Sequence, residues 1–167
     1  MDNKTNCTFL GCLAADQLST IQPKPFSAVI INTDPSTKPG RHWVCMFFTH
    51  NLGCEFFDSF AQKPKYYNLY WPVWIRKYCS SLKCNSRVVQ SINANTCGAH
   101  CLFFIYHRFT NYSMDDIIKT LYSDNLTFND QYVELDIERH LNVDIIIDDS
   151  LFNSVPQKSV SKNVTLV

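Results

Sequence analysis

Short apolar runs rich in β-branched and aromatic residues, separated by polar turn clusters, fill the first half of this chain, and longer apolar stretches at helical spacing fill the second. SAVIINT (27–33) reads as a buried strand, and the DPSTKPG that follows as a turn-rich loop. HWVCMFFTH resumes strand character at His42. NLGC (51–54) then serves as a hairpin connection into EFFDSF, where alternation sets Phe57 and Asp58 on opposite faces. Antiparallel pairing through so short a turn predicts that His42, at the start of one strand, and Asp58, at the close of its neighbour, lie near the same end of the sheet.

Beyond residue 67 the period changes. NLYWPVWIRKYCSSL (68–82) predicts a helix with Pro72 near its start, and SRVVQS (86–91) predicts a third or fourth strand. CGAHCLFFIYHRFTN is apolar on most faces of a helix and should therefore be central. Ser113 is placed to cap MDDIIKTLYS, whose Asp115 and Asp116 sit where the helix dipole favours them. A further helix is expected over NDQYVELDIERHL. VDIIIDDSLF reads either as a last strand or as a peptide-like segment, with Asp148 and Asp149 in a solvated turn, and SVPQKSVSKNVTLV reads as a flexible tail. Strands and helices of this kind predict an α+β class with a central mixed sheet and flanking helices, in one domain over 1–150 with a tail over 151–167.

Composition changes the picture in three ways. The chain has 167 residues, 46% hydrophobic and 18% charged, with twelve Phe, eight Tyr and three Trp, which is the balance of one folded domain with an aromatic core. The formal net charge of zero speaks against strong nonspecific nucleic-acid binding, which depends on Lys and Arg replacing counterions along the phosphates. The first residues lack a basic start followed by an apolar stretch, and no run approaches the roughly 20 apolar residues of a membrane span. A soluble, non-secreted protein is therefore expected. Its eight cysteines read as small buried residues in a reducing compartment rather than a disulfide framework, and their spacing does not suggest zinc.

One cysteine stands apart. Cys97 follows the turn-forming SINANT and opens the apolar helix, where unpaired N–H groups and the positive dipole end favour a thiolate. Gly98 beside it would let a substrate backbone approach closely. A nucleophilic thiol needs an imidazole and a carboxylate to orient that imidazole, for which His42 and Asp58 are the candidates. Gln90 can offer its amide, together with the Cys97 N–H, to the oxyanion of a tetrahedral intermediate. His50, His100, His107 and His140 have no such context and read as structural or solvent-facing, Cys101 as a packing residue, and Asn93 as a loop former.

With these residues in place, the chain resembles the adenovirus-type cysteine proteases (adenain), relatives of the SUMO proteases of the Ulp/SENP superfamily. The resemblance is carried by FLG (9–11), AVIINT, His42-Trp43, FFDSF and VQSINANTCG, and spans about residues 9 to 111. The spacing of Gln90 and Cys97 is of the adenain type, one residue longer than is usual in SUMO proteases, whereas Asp58 stands where adenain usually has Glu. The family implies a papain-like core with circularly reordered catalytic elements, a His42, Asp58, Cys97 triad with Gln90 at the oxyanion hole, and a cleft that Trp43 narrows for small residues such as glycine. It also implies an activating viral peptide that forms a disulfide eleven residues before the oxyanion Gln, at Cys79, with Cys84 a competing position.

The expected function is a monomeric cysteine endopeptidase that needs no cofactor for its chemistry and cleaves viral structural precursors at Gly-containing sites during particle maturation, in the virion and the host nucleus or cytoplasm. Zero net charge departs from the basic, DNA-stimulated family pattern, so DNA stimulation is not expected. Two alternatives compete: a SUMO- or ubiquitin-like deconjugase on the same fold, and an inactive capsid or partner-binding scaffold.

Overall fold

The computed structural model describes residues 7–141, and its core is a five-stranded mixed sheet. The strands are β1 (Thr8–Leu13), β2 (Ser27–Asn32), β3 (Trp43–Phe48), β4 (Gly53–Phe57) and β5 (Ser81–Cys84), in spatial order β1-β2-β3-β4-β5. The central β2–β3 and β3–β4 pairs are antiparallel, and the two outer pairs are parallel. The helices are α1 (Pro64–Tyr67), α2 (Tyr70–Tyr78), α3 (Cys97–Phe109), α4 (Met114–Asp116) and α5 (Leu126–Leu141). The α+β class with a mixed sheet and flanking helices is as the sequence predicts.

Every residue of β2, β3 and β4 is buried because both faces of the sheet are covered. One face presents Ala28, Ile30, Cys45, Phe47 and Phe57 to α3 and α5. The other presents Val29, Ile31, Val44, Met46, Phe48 and Phe56 to Trp71, Trp74 and Ile75 of α2 and to Leu18 of a 3-10 segment. Phe57 and Phe104 stack with centroids 4.6 Å apart, anchoring α3 to β4, and burial of each such ring contributes about 1.5–3 kcal/mol. Helix α3 buries nine of its thirteen residues, carries Arg108 in its last turn where the dipole favours a cation, and stops at Asn111, whose φ of +73° is the left-handed conformation that ends helices. Ser113 Oγ accepts from Asp116 N at 3.1 Å, the expected cap of α4.

Two expectations are corrected. The helix predicted over 68–82 ends at Tyr78, and its last residues turn into β5. The strand predicted at SRVVQS does not form. There Val89 N and Gln90 N both donate to the Ser59 carbonyl, at 2.9 and 3.4 Å, while Asn129 Nδ2 donates to the Val89 carbonyl at 3.1 Å. The backbone of this segment is satisfied by a loop carbonyl and a side chain instead of a ladder, which removes the need for strand pairing. Strand β1 went unread because a bulge at Gly11, φ +107°, breaks its alternation between Phe9 and Cys12. The 150/151 boundary, the tail and VDIIIDDSLF lie outside the described residues.

Candidate active site

The β3–β4 hairpin performs the convergence expected of it. Cys45 pairs with Phe57, and the residues beyond each strand end meet: His42 Nε2 lies 2.7 Å from Asp58 Oδ1, with both residues buried. The approach to β3 is fixed by the His42 carbonyl, which accepts from Thr33 N at 2.8 Å. Asp58 is held by a shell of donors. Phe60 N donates to Oδ1 at 2.9 Å, Gln62 N and the Tyr67 hydroxyl donate to Oδ2 at 2.9 and 2.6 Å, and Asn85 brackets the Asp58 backbone by accepting from its N–H and donating to its carbonyl. The Phe60 and Tyr67 rings lie tilted against the imidazole, with centroids 5.1 and 5.6 Å away.

Cys97 begins α3 and is 7% exposed, and it lies near enough to His42 to favour the charged imidazole. With Nε2 committed to Asp58, Nδ1 is the ring nitrogen left for the sulfur. Burial works against a charged imidazole here, but the hydrogen bond to Asp58 and the negative charge of Asp58 and Cys97 outweigh it and push His42 up to about 9. The ring is thus cationic near neutral pH, the environment that stabilises a thiolate. Burial and the hydrogen bond to Asp58 push Tyr67 strongly upward, so its hydroxyl stays a donor.

Gln90, 1% exposed, is clamped at both ends of its amide. Its Oε1 accepts from Ser59 Oγ at 2.6 Å, and its Nε2 donates to the Ala94 carbonyl at 2.7 Å, leaving one Nε2–H uncommitted. Ser59 follows Asp58 directly, so the end of β4 supports the acid and the amide together. Trp43 and Gly98 are buried, and Trp43 belongs to the apolar cluster that contains Cys97. Asn93 sits exposed in a turn closed by Ala94 N donating to the Ser91 carbonyl at 3.2 Å. Cys101 is fully buried, with its thiol donating to the Trp43 carbonyl at 3.4 Å. His100 and His107 are buried against Asp130 and Asp136.

Cys79 lies half-buried after α2. Its sulfur accepts a hydrogen bond from the Cys54 thiol, which lowers its pKa against the opposing effect of burial, whereas burial raises Cys84. All eight cysteines are free thiols. Among the described residues, no group of His, Cys, Asp and Glu is arranged to hold a metal ion, and no helix is long and apolar enough to cross a membrane. Sequence reasoning passed over Ser59, Tyr67 and Asn85. The one available signal was their position within the segments that must carry the chain away from Asp58 and towards Gln90.

An acid-held imidazole facing a cysteine at a helix N-terminus, beside a clamped amide, is the constellation of a cysteine nucleophile. The adenovirus endoprotease family model matches residues 9–134, and the chain belongs to that family. A cysteine protease of African swine fever virus is 28% identical over 104 residues, covering 57% of this chain and 38% of that protein. A protease of snake adenovirus serotype 1 is 26% identical over 113 residues, covering 60% of this chain and 52% of that one. A crystal structure of an African swine fever virus protease aligns with a TM-score of 0.48 at 21% identity, covering 64% of this chain and 41% of the other. The chain thus spans about half or less of the length of these relatives.

Proposed function

We propose that this chain is a cysteine endopeptidase that cleaves viral precursor proteins at Gly-containing sites. The observation that carries the reading is His42, fixed by Asp58 at 2.7 Å and electrostatically coupled to Cys97 at the start of α3. In this mechanism the Cys97 thiolate attacks the scissile carbonyl carbon, and the C–O π electrons move to oxygen. The Cys97 N–H and the uncommitted Nε2–H of Gln90 stabilise that oxyanion. The His42 imidazolium gives its proton to the leaving amine as the C–N bond breaks, leaving a thioester. Neutral His42 then takes a proton from water, whose oxygen attacks the thioester carbonyl, and the C–S bond breaks to restore the thiolate.

Trp43, buried in the same apolar cluster as Cys97, supports a narrow approach that suits glycine, and Gly98 supports close passage of the substrate backbone. The enzyme acts as a monomer in the virion and the infected cell, without metal and with little use for DNA given its zero net charge. An activating peptide would be tethered at Cys79 in preference to Cys84, since the lowered pKa of Cys79 favours thiol exchange. A second reading, removal of a ubiquitin-like modifier, is favoured by the name of one relative, a SUMO-1 cysteine protease of African swine fever virus that is 27% identical over 104 residues. An inactive scaffold would have no need of the His42, Asp58, Cys97 contacts.

The purified chain should hydrolyse peptides from a Gly-containing library, and a Gly-Gly aldehyde should block it by adding to Cys97. Cys97→Ala and His42→Ala should each abolish turnover with the fold retained by circular dichroism. Full activity in either variant refutes the mechanism, and cleavage confined to the C-terminal Gly-Gly of a folded modifier selects the second reading.

A further inference from the structure

The six-residue connection between Gln90 and Cys97 sets the relative placement of the two oxyanion donors, and α5 grips it. Asp130, 6% exposed, accepts from Ser91 N through Oδ2 at 3.2 Å and from the Thr96 hydroxyl through Oδ1 at 2.7 Å. Ser91 directly follows Gln90 and Thr96 directly precedes Cys97, so one carboxylate holds both ends of the connection. The preceding residue, Asn129, donates from Nδ2 to the Val89 carbonyl at 3.1 Å, on the other side of Gln90. Asp130 is itself fixed from behind. His100, wholly buried, places Nε2 3.0 Å from Asp130 Oδ1 and Nδ1 3.0 Å from the Tyr122 hydroxyl. Burial lowers the His100 pKa against the pull of Asp130, so a neutral ring donates from Nε2 and accepts the Tyr122 proton at Nδ1. Burial also opposes the charge on Asp130, but donors from His100, Ser91 and Thr96 hold it below the usual carboxylate range.

This is more than packing requires. The middle of the connection is open to solvent, with Ile92 and Asn93 exposed, yet both ends are tied to the same buried charge. A single rigid anchor with two contacts five residues apart fixes a span, as two separate anchors on different elements would not.

We infer that Asp130 is a positioning residue for the oxyanion hole, setting the separation between the Gln90 amide and the Cys97 N–H through its paired contacts with Ser91 and Thr96. The inference rests on the protease reading. Asp130→Asn keeps the volume but turns an NH2 group against one of the three donors. In the full chain it should lower kcat on the Gly-containing peptide about tenfold or more while KM stays within about threefold, because the loss falls on the transition state. Alkylation of Cys97 by iodoacetamide, which needs the thiolate but no oxyanion hole, should stay within about twofold of wild type. In a Gln90→Ala background the same substitution should cost under about threefold, since its effect is transmitted through an amide already gone. Amide hydrogen exchange at Ser91 should quicken. Thr96→Val, which removes one tie and leaves the charge in place, should show a smaller loss with the same split between kcat and KM.

Additive losses in the cycle, unchanged kcat, or an equal loss of alkylation would each overturn the inference while the protease reading stands. A wild-type chain that cleaves no peptide and does not alkylate preferentially at Cys97 would remove both.

Discussion

Asp58→Asn isolates what the acid does, because it removes a charge and scarcely any volume. Asp58 accepts from four groups: His42 Nε2, Phe60 N, Gln62 N and the Tyr67 hydroxyl. If the amide oxygen is kept towards His42 and Phe60, the NH2 faces Gln62 N–H, which loses its acceptor, and Tyr67 must rotate to accept. One orphaned buried donor costs about 1–3 kcal/mol of stability. The larger consequence is for His42. Burial alone depresses its pKa, and with the Asp58 hydrogen bond and charge gone the value should fall from about 9 to the ordinary imidazole value of about 6.5 or lower. That difference corresponds to about 3 kcal/mol lost from the imidazolium, so the protonated fraction, and kcat/KM with it, should fall about fourfold at pH 7 and about 10²-fold by pH 9.

The sign follows from the direction of the shift. The imidazolium is needed to protonate the leaving amine and to pair with the thiolate, so wild-type kcat/KM should fall as pH rises through about 9. In Asp58→Asn that alkaline limb should move down to near 6.5 or lower. Stability follows the same sign: a folded pKa raised above the unfolded value contributes stability that is full below about 6.5 and lost as pH rises through about 9. The assay is the pH profile of kcat/KM for both proteins, with the pH dependence of Cys97 alkylation and thermal melts as controls. An alkaline limb that stays near 9 in the variant would refute the argument that Asp58 sustains the imidazolium.

Gln90→Ala should cost roughly 2–4 kcal/mol in kcat with KM little changed, and a loss wholly in substrate affinity would make Gln90 a binding residue instead. The isolated chain should be weakly active and should be stimulated by a cysteine-bearing peptide from its own substrates. Cys79→Ser should weaken that stimulation and abolish the mixed disulfide seen by mass spectrometry, whereas full basal activity unaffected by any such peptide would mark the chain as independent of a tether.

The part of this molecule written most plainly in its sequence is the β3–β4 hairpin, because alternation and a short turn dictate both register and which ends meet. His42 and Asp58 therefore converge as the pattern says. Helix α3 was equally legible, since its apolar run is too long for a strand and its first residue is the cysteine. What could not be read is whatever depends on side chains satisfying backbone. VVQ has strand composition, yet the N–H groups of Val89 and Gln90 are taken by the Ser59 carbonyl, a contact between residues some thirty apart that leaves no periodic trace. Asp130 illustrates the same limit. In NDQYVELDIERHL it looks like an ordinary polar residue near a helix start, and only the packing of α5 against the 91–96 connection and α3 gives it donors.

The shell around Asp58 also bears on which sequences this fold can tolerate. The loop from Asp58 to Gln62 curls so tightly that Phe60 N and Gln62 N both point back at the carboxylate, with Ala61 in a left-handed conformation at φ +56° and its N–H donating to the Asp58 carbonyl at 2.8 Å. A glutamate carries its oxygens one methylene further out, past those donors and into the imidazole. An ancestor or descendant of this chain could exchange the shorter acid for the longer one only by rebuilding the loop in the same step, and Ser59, which holds Gln90, lies within that loop. A single Asp58→Glu change is therefore expected to disturb both halves of the site, the His42 contact and the Ser59 hydroxyl whose hydrogen bond holds Gln90.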